Sequence, residues 1–189
     1  MTKGLLCALV MTVVIVFSGG GASACGCGEF HGFVVAKGKS LFGVRWRIRA
    51  SNPQVDSHGY RSADFFFEML PPAYSGVGYF TTLGLPTSPK FVFTATPGSG
   101  LDRHPEADLS GITSSKVTTL TVKMSKGAPL TIRPRLAPPG VLARHPWLSD
   151  LKFFDTFFPD SRRPVLATAR DVSGKVLTRR KARQGSFFD

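Results

Sequence analysis

The chain is predicted to be mainly β, and three features of its sequence support that prediction. Short apolar or alternating segments recur along it, glycine and proline turn signals separate them, and helical periodicity is nearly absent. About eight short strands with this spacing are typical of an antiparallel β-sandwich. We therefore expect such a sandwich, immunoglobulin-like in the broad sense, with at most one short helix.

The first 24 residues are expected to be a signal peptide. Lys3 gives a positive start, an apolar run extends from Leu5 to Phe17, and three glycines follow it. The run is too short for a transmembrane helix, which needs about 20 apolar residues. The small residues Ala22-Ser23-Ala24 then provide a peptidase site directly before Cys25.

The segment Ala22-Ser23-Ala24-Cys25 resembles the lipobox of bacterial lipoproteins, in which leucine is usual where Ala22 stands. The resemblance implies that Cys25 is diacylated and becomes the new N-terminus, and more than one acyl chain gives stable anchoring. It covers only the signal and implies nothing about the domain. Two other outcomes stay open: ordinary cleavage, which releases a soluble secreted protein, and an uncleaved anchor.

Cysteines provide no cross-link for the folded domain. Cys7 lies within the signal, which leaves Cys25 and Cys27 in the mature chain. If Cys25 is lipidated, Cys27 is a leftover thiol; if it is not, the pair is open to a small disulfide, redox chemistry or metal binding. This spacing lacks the second ligand pair of a zinc site, and the histidines show no zinc motif. We predict neither a metal nor a cofactor.

The chain is strongly basic, with 24 lysines and arginines against 12 acids and a formal net charge of +12. Such an excess favours anionic surroundings, such as phospholipid headgroups or acidic wall polymers, or serves solubility alone. The basic residues are dispersed and no nucleic-acid-binding motif occurs, so nucleic acid is not an expected partner. Another envelope protein is a further candidate partner.

The region after the signal is predicted to fall into three parts. Residues 25–40 are rich in glycine and are expected to form a tether, with a short strand at Phe33–Ala36. The β-sandwich domain is expected to span residues 41–179. Residues 180–189 are expected to form a flexible basic tail, since terminal segments without apolar pattern are commonly solvated.

The clearest local signal is a strand that ends at Ala50. Apolar residues alternate there with cationic ones: Val44, Trp46, Ile48 and Ala50 against Arg45, Arg47 and Arg49. A period of two puts one apolar and one cationic face on a strand. The apolar face is expected to be core, and the three guanidiniums form a row suited to phosphates or carboxylates. The alternative is a solvated outer face of an antiparallel sheet.

Further strands are predicted at 64–70, 77–83 and 91–96, with residues 51–62 as a loop. Residues 97–115 are predicted to be a long polar loop. In it four potential ligands recur at every second position: Asp102, His104, Glu106 and Asp108. Their spacing lacks the glycine and terminal glutamate of a calcium loop, so a solvated loop is expected.

Two hairpins are predicted to complete the domain. One joins 116–125 to 130–133 around Lys126-Gly127, and the other joins 164–171 to 175–179. A short helical turn is expected within 141–147. Leu151–Phe158 has both helical spacing and strand-like composition, and we favour a strand because phenylalanine dominates it.

The sequence contains no catalytic constellation: there is no nucleophile elbow or zinc motif, and its carboxylates are thinly spread. We therefore expect an exported, lipid-anchored bacterial envelope protein of non-catalytic binding or structural type. Arg45, Arg47 and Arg49 are its expected anion-contacting residues. The alternatives are a soluble secreted protein, or an envelope enzyme with a spatially assembled site near His104 or His58.

Overall fold

The computed structural model describes residues 30–39, 45–70, 78–85, 92–94, 106–159 and 161–182. Within these ranges the chain forms twelve strands, one α-helix and one 3₁₀ helix, which confirms the prediction of a mainly β fold. The strands are β1 (Phe33–Lys39), β2 (Arg45–Ala50), β3 (Gln54–Val55), β4 (Arg61–Leu70), β5 (Gly78–Leu85), β6 (Val92–Thr94), β7 (Glu106–Ser114), β8 (Thr119–Met124), β9 (Leu130–Ile132), β10 (Leu151–Pro159), β11 (Pro164–Arg170) and β12 (Val176–Lys181).

The strands form three antiparallel sheets. In the first sheet, β4 pairs with β5 along one edge. Along its other edge, β4 pairs with β2 and, at its beginning, with β3. Strand β1 pairs with the free edge of β2. The middle sheet has the order β10-β7-β6, and the third sheet has the order β12-β11-β8-β9. The register shifts between Val34 and Ala36, which places a β-bulge in β1.

The middle sheet lies between the other two, because its two faces contribute to different hydrophobic cores. The first core lies between the middle sheet and the first sheet, and the middle sheet contributes Ile112, Leu151 and Phe153 to it. The second core lies between the middle sheet and the third sheet, and the middle sheet contributes Ala107, Leu109, Phe154 and Phe158 to it. Successive side chains of a strand point to opposite faces, so the two cores lie on opposite sides of the middle sheet. The predicted sandwich is therefore a stack of three layers.

Gly111 allows the middle sheet to pack closely against an aromatic ring. It is directly opposed to Phe154 in the β7–β10 register. A Cβ atom at Gly111 would lie 2.6 Å from Cζ of Phe154, closer than packed carbon atoms approach. The ring therefore lies across the glycine, and any larger residue there would displace it.

The predicted hairpins and helix are present. Gly127 and Gly174 adopt φ values of +70° and +83° in the β8–β9 and β11–β12 turns, a conformation that glycine adopts without strain. The α-helix α1 spans Pro139–Arg144, and a 3₁₀ helix, Pro146–Asp150, leads into β10. Since β10 occupies Leu151–Pro159, the preference for a strand over this ambiguous segment is confirmed.

The prediction of a solvated loop over residues 97–115 is wrong for its second half. Residues 106–114 form β7, the central strand of the middle sheet, and Ala107 to Ser114 are all buried. Aspartate, serine and glycine, which this segment contains, are typical of turns. The strand could not be recognised by alternation, because both of its faces are covered by protein. Residues 97–105 lie outside the described residues.

Several boundaries also differ from those expected, and three of them extend strands into segments predicted to be tether, tail or loop. β1 lies within the segment 25–40 that was expected to be a tether, and it reaches Lys39 rather than ending at Ala36. β12 includes Arg180 and Lys181, which were expected in the tail. The segment 51–62 contains the short strand β3 and the start of β4. In each case pairing with a neighbouring strand extends regular structure into a polar segment.

Candidate functional site

The outer face of the first sheet collects cations from two neighbouring strands. Arg45, Arg47 and Arg49 alternate along β2 with Ile48 and Ala50, which are buried in the first core. Directly opposed residues of an antiparallel pair share a face. Two lysines of β1 are opposed to two of these arginines: Lys37 to Arg47 and Lys39 to Arg45. We call these five residues of β1 and β2 the basic face.

Lys37 and Lys39 were not recognised in the sequence. They fall in the segment expected to be a tether, and the bulge in β1 determines which of its residues point outward. Gly38, between them, lies against the Trp46 ring on the inner side of the sheet. The alternation Lys-Gly-Lys was the available signal, and the strand partner needed to interpret it is not visible in the sequence.

Arg47 is already paired within the sheet. It is directly opposed to Glu68 of β4, and its Nε donates to Glu68 Oε1 in a salt bridge. Both side chains are only partly exposed. The pair neutralises one cation of the predicted row, which leaves Arg47 less charge to offer an external anion.

Arg49 holds the segment that precedes β1. Its Nη2 donates to the carbonyl oxygen of Phe30 and its Nε donates to that of Gly32 at 3.3 Å. Its guanidinium carbon also lies 5.4 Å from the centroid of the Phe30 ring, a cation–π distance. These contacts give Arg49 a structural role at the start of the first sheet.

Exposure to solvent differs among the residues of the basic face. Lys37, Lys39 and Arg45 are exposed, whereas Arg47 and Arg49 are half-buried. Acidic residues of the same outer surface lie on β4: Glu68 at the salt bridge and Asp64, which accepts a hydrogen bond from the Thr82 hydroxyl at 2.7 Å. The surface is thus polarised, with its exposed positive charge toward the β1 edge.

Other residues singled out in the sequence contribute no comparable site. His58 lies exposed in a turn, where its backbone N–H donates to Asp56 Oδ1 at 2.8 Å. Cys25, Asp102 and His104 lie outside the described residues, and Glu106 begins β7. In the described part of the chain, no three histidine, cysteine, aspartate or glutamate residues are grouped so as to hold a metal ion. No helix found there is long and apolar enough to cross a membrane.

Sequence reasoning missed a carboxyl pair in the middle sheet, in which Asp108 is buried and Asp155 is half-buried. The Ser110 hydroxyl oxygen lies 2.9 Å from Asp108 Oδ2 and 3.0 Å from Asp155 Oδ1. Burial raises the pKa of Asp108 to about 6. Burial, followed by repulsion from the Asp108 carboxylate, raises the pKa of Asp155 well above its ordinary value. The two aspartates are distant in sequence, and only the β7–β10 register brings them together.

This geometry favours the retention of a carboxyl proton. A serine hydroxyl has one hydrogen, so it can donate to only one of two carboxylates. The second short contact becomes a hydrogen bond when the other carboxyl is protonated and donates to the serine oxygen. Like charges held this close also favour retention of one proton by the pair. A carboxylic acid, a hydroxyl and a carboxylate in series would satisfy both contacts.

The middle sheet places this group on the side of the first core. Asp108 and Ser110 have the same parity along β7 as Ile112, and Asp155 has the same parity along β10 as Phe153. The carboxyl pair thus lies on the inner side of the stack, whereas the basic face lies on the outside of the first sheet.

Comparisons of the chain with protein-family models, with curated proteins and with solved structures give no match.

Proposed function

We propose that the protein is a non-catalytic binding module of the bacterial cell envelope, and that its basic face contacts anionic lipid headgroups or an anionic envelope polymer. The observation behind this proposal is the register of β1 and β2, which groups Lys37, Lys39 and Arg45 as exposed cations. Export, and anchoring through Cys25, are part of the proposal and rest on the signal-like residues 1–25.

The spacing of the basic face suits a surface with many charges. Alternate residues of a strand lie about 6.8 Å apart, and neighbouring strands lie about 4.8 Å apart. Lysine and arginine side chains at this spacing can reach several headgroups or polymer charges at once. Each cation near an anionic membrane surface contributes about 1 kcal/mol, so three contribute about 3 kcal/mol, or roughly a hundredfold in affinity.

The test removes the exposed cations and measures binding to anionic vesicles. The protein is made with Cys25→Ser to exclude an acyl anchor, and is mixed with vesicles of phosphatidylglycerol and phosphatidylcholine. The variant K37S/K39S/R45S is expected to bind about a hundredfold more weakly at low salt. Added salt should weaken binding of the unsubstituted protein, because exposed charges are screened.

A matched control separates the basic face from net charge. K116S/K126S/K175S removes the same charge from exposed positions outside the first sheet. It should retain most of the binding. An equal loss in both variants would show that binding follows net charge alone, and the basic face would then have no specific role.

A further inference from the structure

The outer surface of the third sheet is a second cationic surface. Its four strands contain no aspartate or glutamate. Leu120 and Val122 of β8 and Ala167 and Ala169 of β11 fill the second core, so the residues between them point outward. The third sheet therefore has one apolar face inside and one polar face outside.

The strand register identifies the cations of this outer surface. Leu166 of β11 lies between two lysines: it is opposed to Lys123 of β8 on one side and to Lys181 of β12 on the other. One step along the sheet, Thr121 is opposed to Thr168, and Thr168 is opposed to Arg179. Lys123, Arg179 and Lys181 are all exposed. We call these three residues the second basic face.

Threonine hydroxyls lie beside these cations. Thr131 of β9 is opposed to Thr121, so the row across the sheet reads Thr131, Thr121, Thr168 and Arg179. A hydroxyl can donate a hydrogen bond to a phosphate or carboxylate oxygen, and a strand surface without acids does not repel it. Cations and hydroxyl donors in rows suit an extended polyanion whose charges repeat along its length.

The two basic faces point in opposite directions. The first and third sheets flank the middle sheet, and stacked sheets lie about 10 Å apart. Roughly 20 Å of packed protein therefore separates the backbones that carry the two faces. A single flat membrane cannot contact both, so partners bound to the two faces at once would be two different anionic surfaces.

The position of Cys25 distinguishes the two surfaces. An extended residue spans at most about 3.6 Å, so Phe33 of β1 lies no more than about 29 Å along the chain from Cys25. That reach exceeds the roughly 20 Å between the two faces, so an anchor at Cys25 does not by itself orient the protein. The strand that follows Cys25 in the chain is β1, which contributes Lys37 and Lys39 to the basic face. We assign lipid to the basic face on this connection, and polymer to the second basic face.

We propose that the protein bridges two anionic surfaces, with its basic face on lipid headgroups and its second basic face on an acidic envelope polymer. This inference rests on the proposed function for the first of these contacts. Complementary charge on both outer sheets is the attraction in each case, and the three-layered stack holds the two contacts apart.

The test is recruitment of a labelled polymer to vesicles. Fluorescent inorganic polyphosphate, the Cys25→Ser protein and phosphatidylglycerol vesicles are mixed, the vesicles are sedimented, and the pelleted fluorescence is measured. The protein should raise it well above the level without protein. K123S/R179S/K181S should lower recruitment at least about tenfold while leaving protein in the pellet, because only the polymer contact is lost. K116S/K126S/K175S is the charge-matched control.

Each other outcome is decisive. If K123S/R179S/K181S recruits polymer as well as the unsubstituted protein does, the second basic face is not the polymer site and the bridge is overturned. If the unsubstituted protein pellets with vesicles but brings no polymer, the bridge fails while the proposed function stands. If it does not pellet with vesicles at all, the lipid contact of the basic face fails, and bridging fails with it.

Discussion

Ser110 and Asp155 are directly opposed on β7 and β10, and the serine hydroxyl links Asp155 to Asp108. The folded protein therefore retains a carboxyl proton at a pH where an exposed aspartate has lost it. Because the pKa of Asp108 rises from 3.8 to about 6 on folding, the folded state binds this proton more tightly than the unfolded state does. Stability is consequently lost as the pH rises through this interval.

Replacing Asp155 by asparagine should stabilise the protein at neutral pH. The amide can donate to the Ser110 oxygen without a proton from solvent, and it removes repulsion from Asp108. We expect the free energy of unfolding to rise by about 1–3 kcal/mol at pH 7, and by less at pH 4.5, where the original pair holds its protons. Thermal unfolding at both pH values measures this, and a lower melting temperature for D155N at pH 7 would contradict it.

Asp171 should show the opposite pH dependence. It is exposed at the β11–β12 turn, where the Ser173 hydroxyl and the backbone N–H groups of Ser173 and Lys175 donate to its carboxylate. The Ser173 hydrogen bond is the main cause that lowers the pKa of Asp171. Its contribution is present at neutral pH and is lost as the pH falls through the lowered pKa. D171N should therefore lower the melting temperature at pH 7, with a smaller difference at pH 3.

Gly111→Ala should destabilise the middle sheet. The added methyl group would overlap the Phe154 ring, and overpacking of a core costs about 1–3 kcal/mol. Gly84→Ala in β5 is the matched control, since nothing lies within 4 Å of a Cβ atom there. Chemical denaturation should separate the two variants. Equal stability of G111A and G84A would mean that the ring moves aside without cost.

Glu68→Gln should strengthen binding to anionic vesicles. Glu68 neutralises Arg47, and its replacement removes a negative charge from the surface that carries the basic face. We expect a few-fold gain in affinity, because one added positive charge near the membrane is worth about 1 kcal/mol. Asp150→Asn, an exposed change outside the first sheet, gives the same change of net charge and should have a smaller effect.

The proposed acyl anchor at Cys25 is tested by detergent phase partitioning and by the intact mass of the N-terminus. A diacylglyceryl mass on Cys25, with the protein in the detergent phase, is the expected result for a lipoprotein. Cys25→Ser should move the protein to the aqueous phase. If the unsubstituted protein is found in the aqueous phase with a free Cys25, the secreted form is favoured instead. The Cys25–Cys27 pair would then again be a candidate for a small disulfide, redox chemistry or metal binding.

The strands that the sequence predicts best are those with one buried face and one solvent-exposed face. β2 could be read directly, because Arg45, Arg47 and Arg49 alternate with residues of the first core. β8 and its hairpin were predicted for the same reason, with Gly127 as the turn signal. A side-chain period of two is visible only when the two faces have different surroundings.

The sequence could not predict β7 or the carboxyl pair. Both faces of β7 are buried, and the Ser110 hydroxyl bonds there to Asp108 and to Asp155, which offsets part of the cost of burying these polar groups. That compensation depends on a partner from a distant part of the chain. The membership of Lys37 and Lys39 in the basic face was hidden in the same way, since it depends on the β1–β2 register and on a bulge.

The middle sheet also determines the order in which parts of the protein are expected to unfold. Because β7 and β10 supply side chains to both cores, an outer sheet can separate without them, but neither strand can leave without opening both cores at once. The amides that bond between β7 and β10 are therefore expected to exchange with solvent last, and each outer sheet is expected to open earlier. On this expectation, the two surfaces that carry the basic faces loosen separately while the β7–β10 pair stays intact.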